Sequence, residues 1–186
     1  DGGDRIVAAA QARLDLPILY LAQPNQGVSV ARNRAIEQAH GAFVAFLDAD
    51  DLWQTEKTAR QVAFLRDNPE SAGVVCRLDF FLTEDTAWPA QLNRAHYEQR
   101  PAAYIPSALL VRQETLDRVG PFNPDLRTGE DTDWFFRARD AGMKISLLAE
   151  ILLQRRFHRT NLSHTPSAPT QDLFRIIRSS LRRGGE

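Results

Sequence analysis

Three carboxylates occupy four consecutive positions, Asp48-Ala49-Asp50-Asp51, immediately after the apolar run Ala42-Phe43-Val44-Ala45-Phe46-Leu47. Crowded together at the end of one strand, they repel one another and raise each other's pKa values, and folding alone has no need of them. A bound divalent cation relieves that repulsion, and oxygen donors suit Mg²⁺ or Mn²⁺. Ligands of open α/β sheets also bind beyond the carboxyl ends of strands, which is where this cluster falls. The alternative is a solvated turn leading into a helix, where aspartate is favoured for its hydrogen bonds to nearby backbone.

A second acidic group, Glu130-Asp131, sits within Gly129-Glu130-Asp131-Thr132-Asp133-Trp134. Taken alone, the pair reads as charge compensation at a helix N-terminus, worth under about 1 kcal/mol. Other acid chemistries fit the first cluster less well. A phosphatase of the haloacid dehalogenase type places its nucleophilic aspartate in a similar strand-end Asp-x-Asp, but carries Thr two residues later, where this chain has Leu52. A DxDxDG calcium loop fails because no Gly or closing Glu is correctly spaced.

The elements that must position these acids alternate along the chain. Residues 4–14 suit a helix, with Ile6, Val7 and Ala10 on one side, and Pro17 ends it. Ile18-Leu19-Tyr20-Leu21 reads as a short strand, followed by a loop containing Pro24, Asn25 and Gly27. Ser29 to Gln38 predicts a helix. The run 42–47, apolar at every position, predicts a parallel strand covered on both faces. A helix over about 55–67 is expected, with Thr55 as its N-cap, and then a strand at Ala72-Gly73-Val74-Val75-Cys76. Residues 83–103 read as irregular. Beyond them a strand at Leu109-Leu110-Val111, a short helix from Glu114 to Val119, a helix from Glu130 to Asp140 and a strand from Ile145 to Leu153 follow. Strands separated by helices imply an α/β fold with a mostly parallel sheet.

Bulk properties narrow the partners. The chain has 186 residues, enough for one domain with a real core, and 43% hydrophobic and 25% charged residues are ordinary for a globular protein. A formal net charge of -1 gives no reason to expect nucleic acid as a partner. The single Cys76 excludes an internal disulfide framework and fits a reducing compartment. No apolar run approaches the eighteen or so residues of a membrane span. Asp1-Gly2-Gly3-Asp4 lacks the features of a signal peptide and reads as a turn, so a strand upstream is expected to be missing.

Three blocks carry a resemblance in their order and spacing: Asn25-Gln26-Gly27, then Ala31-Arg32-Asn33, then Phe46-Leu47-Asp48-Ala49-Asp50-Asp51. They look like the family 2 glycosyltransferases, which have the GT-A fold, a Rossmann-like sheet flanked by helices. Gly129 to Trp134, with Arg137 and Gly142 beyond, resembles that family's second acidic motif. The stretch from Ala108 to Arg112 leading to Val119-Gly120-Pro121-Phe122 is similar to what precedes it. The resemblance runs from about residue 1 to 164.

It implies a set of roles. Asp48 and Asp50 match the DxD that binds the donor's diphosphate through Mn²⁺ or Mg²⁺, because a divalent cation stabilises the charge developing on a nucleoside diphosphate leaving group. Asp131 matches the general base that deprotonates the acceptor hydroxyl, with Glu130 beside it to orient it or raise its pKa. Arg32 matches a residue near the donor pyrophosphate or base. Asp1 matches an acid that contacts the nucleotide base, although Gly3 stands where Ser is usual. His158, in Arg155-Arg156-Phe157-His158, matches a further metal ligand or diphosphate contact. Ser107 and Trp134 are expected as neighbours of the acceptor. The implied reaction is an inverting, single in-line displacement, moving a sugar from a nucleoside-diphosphate donor, most commonly UDP-linked, to a hydroxyl of a glycan, lipid-linked or protein acceptor. No Ser, Cys or Lys in an activating motif argues for a covalent intermediate. The competing readings are a non-catalytic nucleotide-sugar-binding domain of the same fold and a metal-dependent phosphatase.

Residues 1–164 are therefore expected to form the catalytic core, and 165–186 a basic C-terminal helix or linker. In that tail Leu173, Ile176, Ile177 and Leu181 fall at helical spacing among Arg175, Arg178, Arg182 and Arg183. Such a helix either packs on the core or lies on an anionic membrane surface. The expected location is the cytoplasm, with peripheral contact at the inner face of the membrane through this helix.

Overall fold

A computed structural model describes residues 2–83, 94–157 and 169–183. Helices α1 (Gly3–Arg13) and α2 (Val28–Glu37) precede strand β1 (Phe43–Ala45), followed by β2 (Leu52–Trp53), α3 (Lys57–Asp67) and β3 (Gly73–Leu82). A short helix α4 (Arg94–Glu98) and a 3₁₀ turn (Pro106–Ala108) lead to β4 (Leu110–Arg112), α5 (Gln113–Val119), α6 (Glu130–Asp140), β5 (Ile145–Phe157) and α7 (Pro169–Arg183). The alternation read from the sequence thus holds, with α6 on its expected residues and the strands β3 and β5 longer than their apolar runs.

The five strands form one sheet in the order β1-β4-β3-β5-β2. At its centre β3 and β5 run parallel from Gly73↔Ile145 to Leu82↔Phe157. The other three pairings, β1–β4, β3–β4 and β2–β5, are antiparallel. The sheet is accordingly mixed, and the expected parallel order holds only in the middle. The direction of each pair is set by how the long intervening segments return the chain to the sheet, and only the segment between β3 and β5 brings it back parallel. β1 lies at the edge of the sheet rather than inside it, so Leu47 remains 48% exposed and only Phe46 of its apolar run is buried. Ile18 to Leu21 forms no strand, and Leu19 and Tyr20 face solvent. Thr55 does not cap α3, whose N-cap position is Glu56.

The core is continuous across the sheet and the face of α6. Val75, Cys76, Leu109, Val111, Leu153, Phe122 and Trp134 are all buried within it. Side chains of this size each contribute roughly 1.5–3 kcal/mol on burial, which makes the sheet a rigid platform for the loops at its ends. The C-terminal helix packs against α6 through Ile176, buried beside Gly129, and through Ser180, which hydrogen bonds Arg139 and Asp140. Its other apolar residues do not pack: Leu173, Phe174, Ile177 and Leu181 are exposed. No helix among the described residues is long and apolar enough to cross a membrane.

Candidate active site

The acidic cluster is a tight turn. The backbone N–H of Asp51 donates to the carbonyl of Asp48 at 3.1 Å, which puts Ala49 and Asp50 at the tip. Asp48 and Asp50 are half-exposed, whereas Asp51 is buried with Oδ1 lacking any hydrogen-bond partner. Burial pushes the Asp51 carboxyl above the usual carboxylate range; a hydrogen bond from Ser107 and the charge of Arg155 pull the other way, while Asp50 and Asp48 add repulsion. The repulsion anticipated from three adjacent acids is thus present, with desolvation the larger cause.

The second acidic motif faces this turn through Arg32. From α2, Arg32 Nη2 donates to Asp48 Oδ1 at 2.7 Å and Nη1 to Glu130 Oε1 at 2.8 Å, its side chain 11% exposed. Burial acts most strongly and lowers the guanidinium's pKa, but the two carboxylates together more than offset it, and the net shift is upward. Glu130 shifts upward as well: burial comes first, then repulsion from Asp131, with its own backbone N–H and Arg32 opposing. Asp131 is half-buried, and its Oδ1 accepts from the Thr132 N–H at 2.6 Å.

Local sequence explains why these groups meet. Asn33 clamps Phe122 reciprocally, donating from Nδ2 to its carbonyl and accepting its N–H at Oδ1, both at 2.8 Å. Ser29 Oγ donates to the carbonyl of Asn123. These bonds fasten α2 to the loop that leads into α6. Gly129 caps α6 at φ 78°, a left-handed conformation costly for other residues, and a Cβ there would meet Ile176 Cδ1 at 3.2 Å. Asp133 is tied to Arg137 at 2.8 Å, and Arg137 reaches the carbonyls of Val119 and Pro121. The acids of the first turn of α6 therefore divide their work: Asp133 braces the loop, while Glu130 reaches the acidic turn through Arg32.

Of the residues singled out from sequence, Arg32, Asp48, Asp50, Glu130 and Asp131 fall in this region, while Asp1 and His158 lie outside the described residues. Two expected acceptor neighbours do not hold. Ser107 and Trp134 are both fully buried, and Trp134 donates its indole N–H to the carbonyl of Gly120, so neither has a face to offer a sugar. Ser107 instead accepts the N–H of Asp48 at 3.1 Å. A buried polar group behind the turn carried no recognisable sequence signal: Lys57 Nζ bonds Gln61 Oε1 at 2.7 Å and lies 4.2 Å from the centre of the Trp53 ring. Arg155 was visible only as part of a basic run, yet its charge acts on Asp51.

The donor set fits Mg²⁺ or Mn²⁺ in its chemistry, being carboxylate oxygens with one buried oxygen of Asp51 unpartnered. No group of three or more metal-ligating side chains converges among the described residues. Mg²⁺ is commonly bound by one or two carboxylates completed by substrate phosphates and water.

The family model described as glycosyl transferase family 2 matches residues 1–123. The glycosyltransferase AglE of Haloferax volcanii is 27% identical over 165 residues, covering 82% of this chain and 52% of its own length. TuaG of Bacillus subtilis, a glycosyltransferase whose name refers to teichuronic acid biosynthesis, is 40% identical over 65 residues, covering 34% of this chain and 25% of its own. Among solved structures, Staphylococcus aureus TarS in complex with UDP-GlcNAc superposes with a TM-score of 0.73 at 20% identity, covering 98% of this chain and 54% of that one. The mannosyltransferase PcManGT of Pyrobaculum calidifontis, in complex with GDP-Man and Mn²⁺, gives 0.67 at 18% identity, over 87% of this chain and 46% of that one. The chain thus spans about half the length of these relatives, or less. Its fold is the one shared with TarS, and with the family's model matching residues 1–123 of 186 the chain belongs to glycosyl transferase family 2.

Proposed function

We propose that the protein is an inverting glycosyltransferase that moves a sugar from a nucleoside-diphosphate sugar to a hydroxyl acceptor in glycan or cell-envelope polysaccharide synthesis. The observation that carries this reading is the Arg32 bridge, which joins Asp48 of one acidic motif to Glu130 of the other at 2.7 and 2.8 Å. Two acidic motifs held in one site provide for the two ends of a displacement, the departing diphosphate and the attacking hydroxyl. Nucleotide sugars bound by TarS and PcManGT support the donor class, and UDP is the first carrier to test.

In this reading Asp48 and Asp50, with His158 beyond the described residues, hold Mn²⁺ or Mg²⁺, which when bound neutralises charge on the leaving diphosphate. Arg32 and Asp1 contribute to the donor site. Asp131 takes the acceptor hydroxyl's proton on its carboxylate, and Glu130, fixed by Arg32, keeps negative charge beside it, which favours proton uptake. The exposed apolar face of α7, flanked by Arg175, Arg178 and Arg182, supports peripheral attachment of the 165–186 segment to an anionic membrane on the cytoplasmic side, leaving residues 1–164 as the catalytic core.

A donor screen that detects released nucleoside diphosphate tests the proposal. Transfer should require Mn²⁺ or Mg²⁺ and fall at least a hundredfold in Asp48→Asn and Asp50→Asn. Undiminished transfer in both variants would overturn it.

A further inference from the structure

We infer that Ser107 is the positioning residue of the acidic turn, its buried hydroxyl holding Asp48, the first residue of that turn, in the arrangement that receives the metal and diphosphate; this rests on the function proposed above. Ser107 is fully buried, in the 3₁₀ turn Pro106–Ala108. Its Oγ accepts the backbone N–H of Asp48 at 3.1 Å, and the hydroxyl acts on the nearby Asp51 carboxylate, favouring its charged form against burial. A hydroxyl has one proton to give and lone pairs to accept with. Here a lone pair takes the Asp48 N–H, which fixes the first residue of the turn. The turn's own backbone bond, from the Asp51 N–H to the Asp48 carbonyl at 3.1 Å, carries that anchor on to Asp51.

The anchor is itself anchored. Trp53 Nε1 donates to the carbonyl of Ser107 at 2.7 Å. Gln61 Nε2 holds the neighbouring Ala108 carbonyl at 2.8 Å and also the Val74 carbonyl, while Lys57 fixes the amide from its other side. The position of Ser107 is thus set from β2 through Trp53 and from α3 through Gln61, which also ties in β3 at Val74. Carboxylates that receive a cation must be held within a fraction of an ångström by their supporting bonds, and outer hydrogen-bond partners of metal ligands are typically worth 10–100-fold in affinity.

The experiment measures binding of UDP and of GDP by the full chain, each with Mn²⁺ and with EDTA, in the unmodified protein, Ser107→Ala, Ser107→Thr and the control Ser71→Ala. Ser71 is an equally buried hydroxyl, paired with Ser146 at 2.8 Å. Ser107→Ala should weaken Mn²⁺-dependent binding at least tenfold and change metal-free binding less than twofold. Ser107→Thr, which keeps the hydroxyl, should recover most of the affinity, and Ser71→Ala should bind as the unmodified chain does. If Ser107→Ala binds normally, or loses metal-free binding in equal measure, the positioning role is overturned while the proposed function stands. Should Ser107→Ala fail to fold, the Thr variant decides: a folded Ser107→Thr with tenfold weakened Mn²⁺-dependent binding overturns the role, and near-normal binding supports it. An unmodified chain that binds neither nucleotide with Mn²⁺ overturns the proposed function and this inference together.

Discussion

Arg32 and Glu130 meet at 2.8 Å although 98 residues separate them along the chain. The same guanidinium holds Asp48, so one buried cation is satisfied by one carboxylate from each acidic motif. An arginine can do this because its planar fork presents separate donors in fixed directions. A lysine offers a compact charge that cannot engage both partners in this geometry. Arg32→Lys should therefore retain the fold but lose at least tenfold in transfer, and Arg32→Ala should lose more. Removing the cation also leaves two partly buried carboxylates facing each other, so Arg32→Ala is expected to cost about 2–4 kcal/mol of stability. Urea unfolding of the three proteins gives that number, and a loss under about 0.5 kcal/mol would show that the bridge does not hold the site together.

Asp131 stands at the start of α6, half-buried, with one carboxylate oxygen taken by Thr132. In the proposed reaction its carboxylate takes the acceptor hydroxyl's proton. Asp131→Asn keeps the shape and removes the basicity, so kcat should fall by about 10²–10⁴. Donor affinity should move little, because the amide replaces the carboxylate on the acceptor side of the site. Single-turnover rates beside calorimetric donor binding separate the two, and an equal loss in both would move Asp131 out of the base role.

The two acidic motifs and the alternation of elements were legible in the sequence for a physical reason: charge clustered after an apolar run, and apolar runs separated by helical periods, are local patterns. What brings the motifs together was not legible. The Asn33–Phe122 clamp and the Arg32 bridge are long-range bonds between residues with no shared local pattern. The Asn33 and Arg32 positions could be flagged only by resemblance. Strand direction was misread for a similar reason. The run 42–47 is apolar enough for a buried parallel strand, but its position at the sheet edge depends on which strands pair beside it, which composition does not encode. Ser107 and Trp134 show the reverse case, a polar and an aromatic residue whose types suit a ligand contact but which the fold uses internally.

Along α7, Leu173, Phe174, Ile177 and Leu181 remain exposed, Phe174 at 67% and Leu181 at 73%, while Ile176 and Ser180 face α6. The helix is thus packed on one side and apolar on another, with Arg175, Arg178 and Arg182 exposed around it. Phe174→Ser with Leu181→Ser removes apolar surface that the fold does not bury, so circular dichroism and thermal unfolding should hardly change. Sedimentation with vesicles containing about a third anionic lipid should fall at least fivefold relative to the unmodified chain, and binding by the latter should weaken as salt rises. Equal binding by both proteins would remove the membrane from this helix's role.

Lys57 is fully buried at the start of α3, with Gln61 as its hydrogen-bond partner and the Trp53 ring beneath its ammonium group. Burial lowers its pKa from 10.5 to about 8. The unfolded chain therefore holds this proton more tightly than the folded one. Below pH 8 both states carry it, and the folded state bears the cost of a buried charge, on the order of 3 kcal/mol. As pH rises from 8 towards 10.5 the folded protein releases the proton while the unfolded chain keeps it, so this group's contribution to stability increases and then levels off above 10.5. Lys57→Met should abolish that rise while preserving the fold, since Met occupies a similar volume without charge. Urea midpoints at about pH 7, 8.5 and 10 compare the two proteins; the variant should be the more stable at pH 7, with the gap narrowing as pH climbs. Parallel curves would mean that Lys57 keeps its ordinary pKa, held charged by the Trp53 ring, whose attraction for the ammonium opposes the effect of burial.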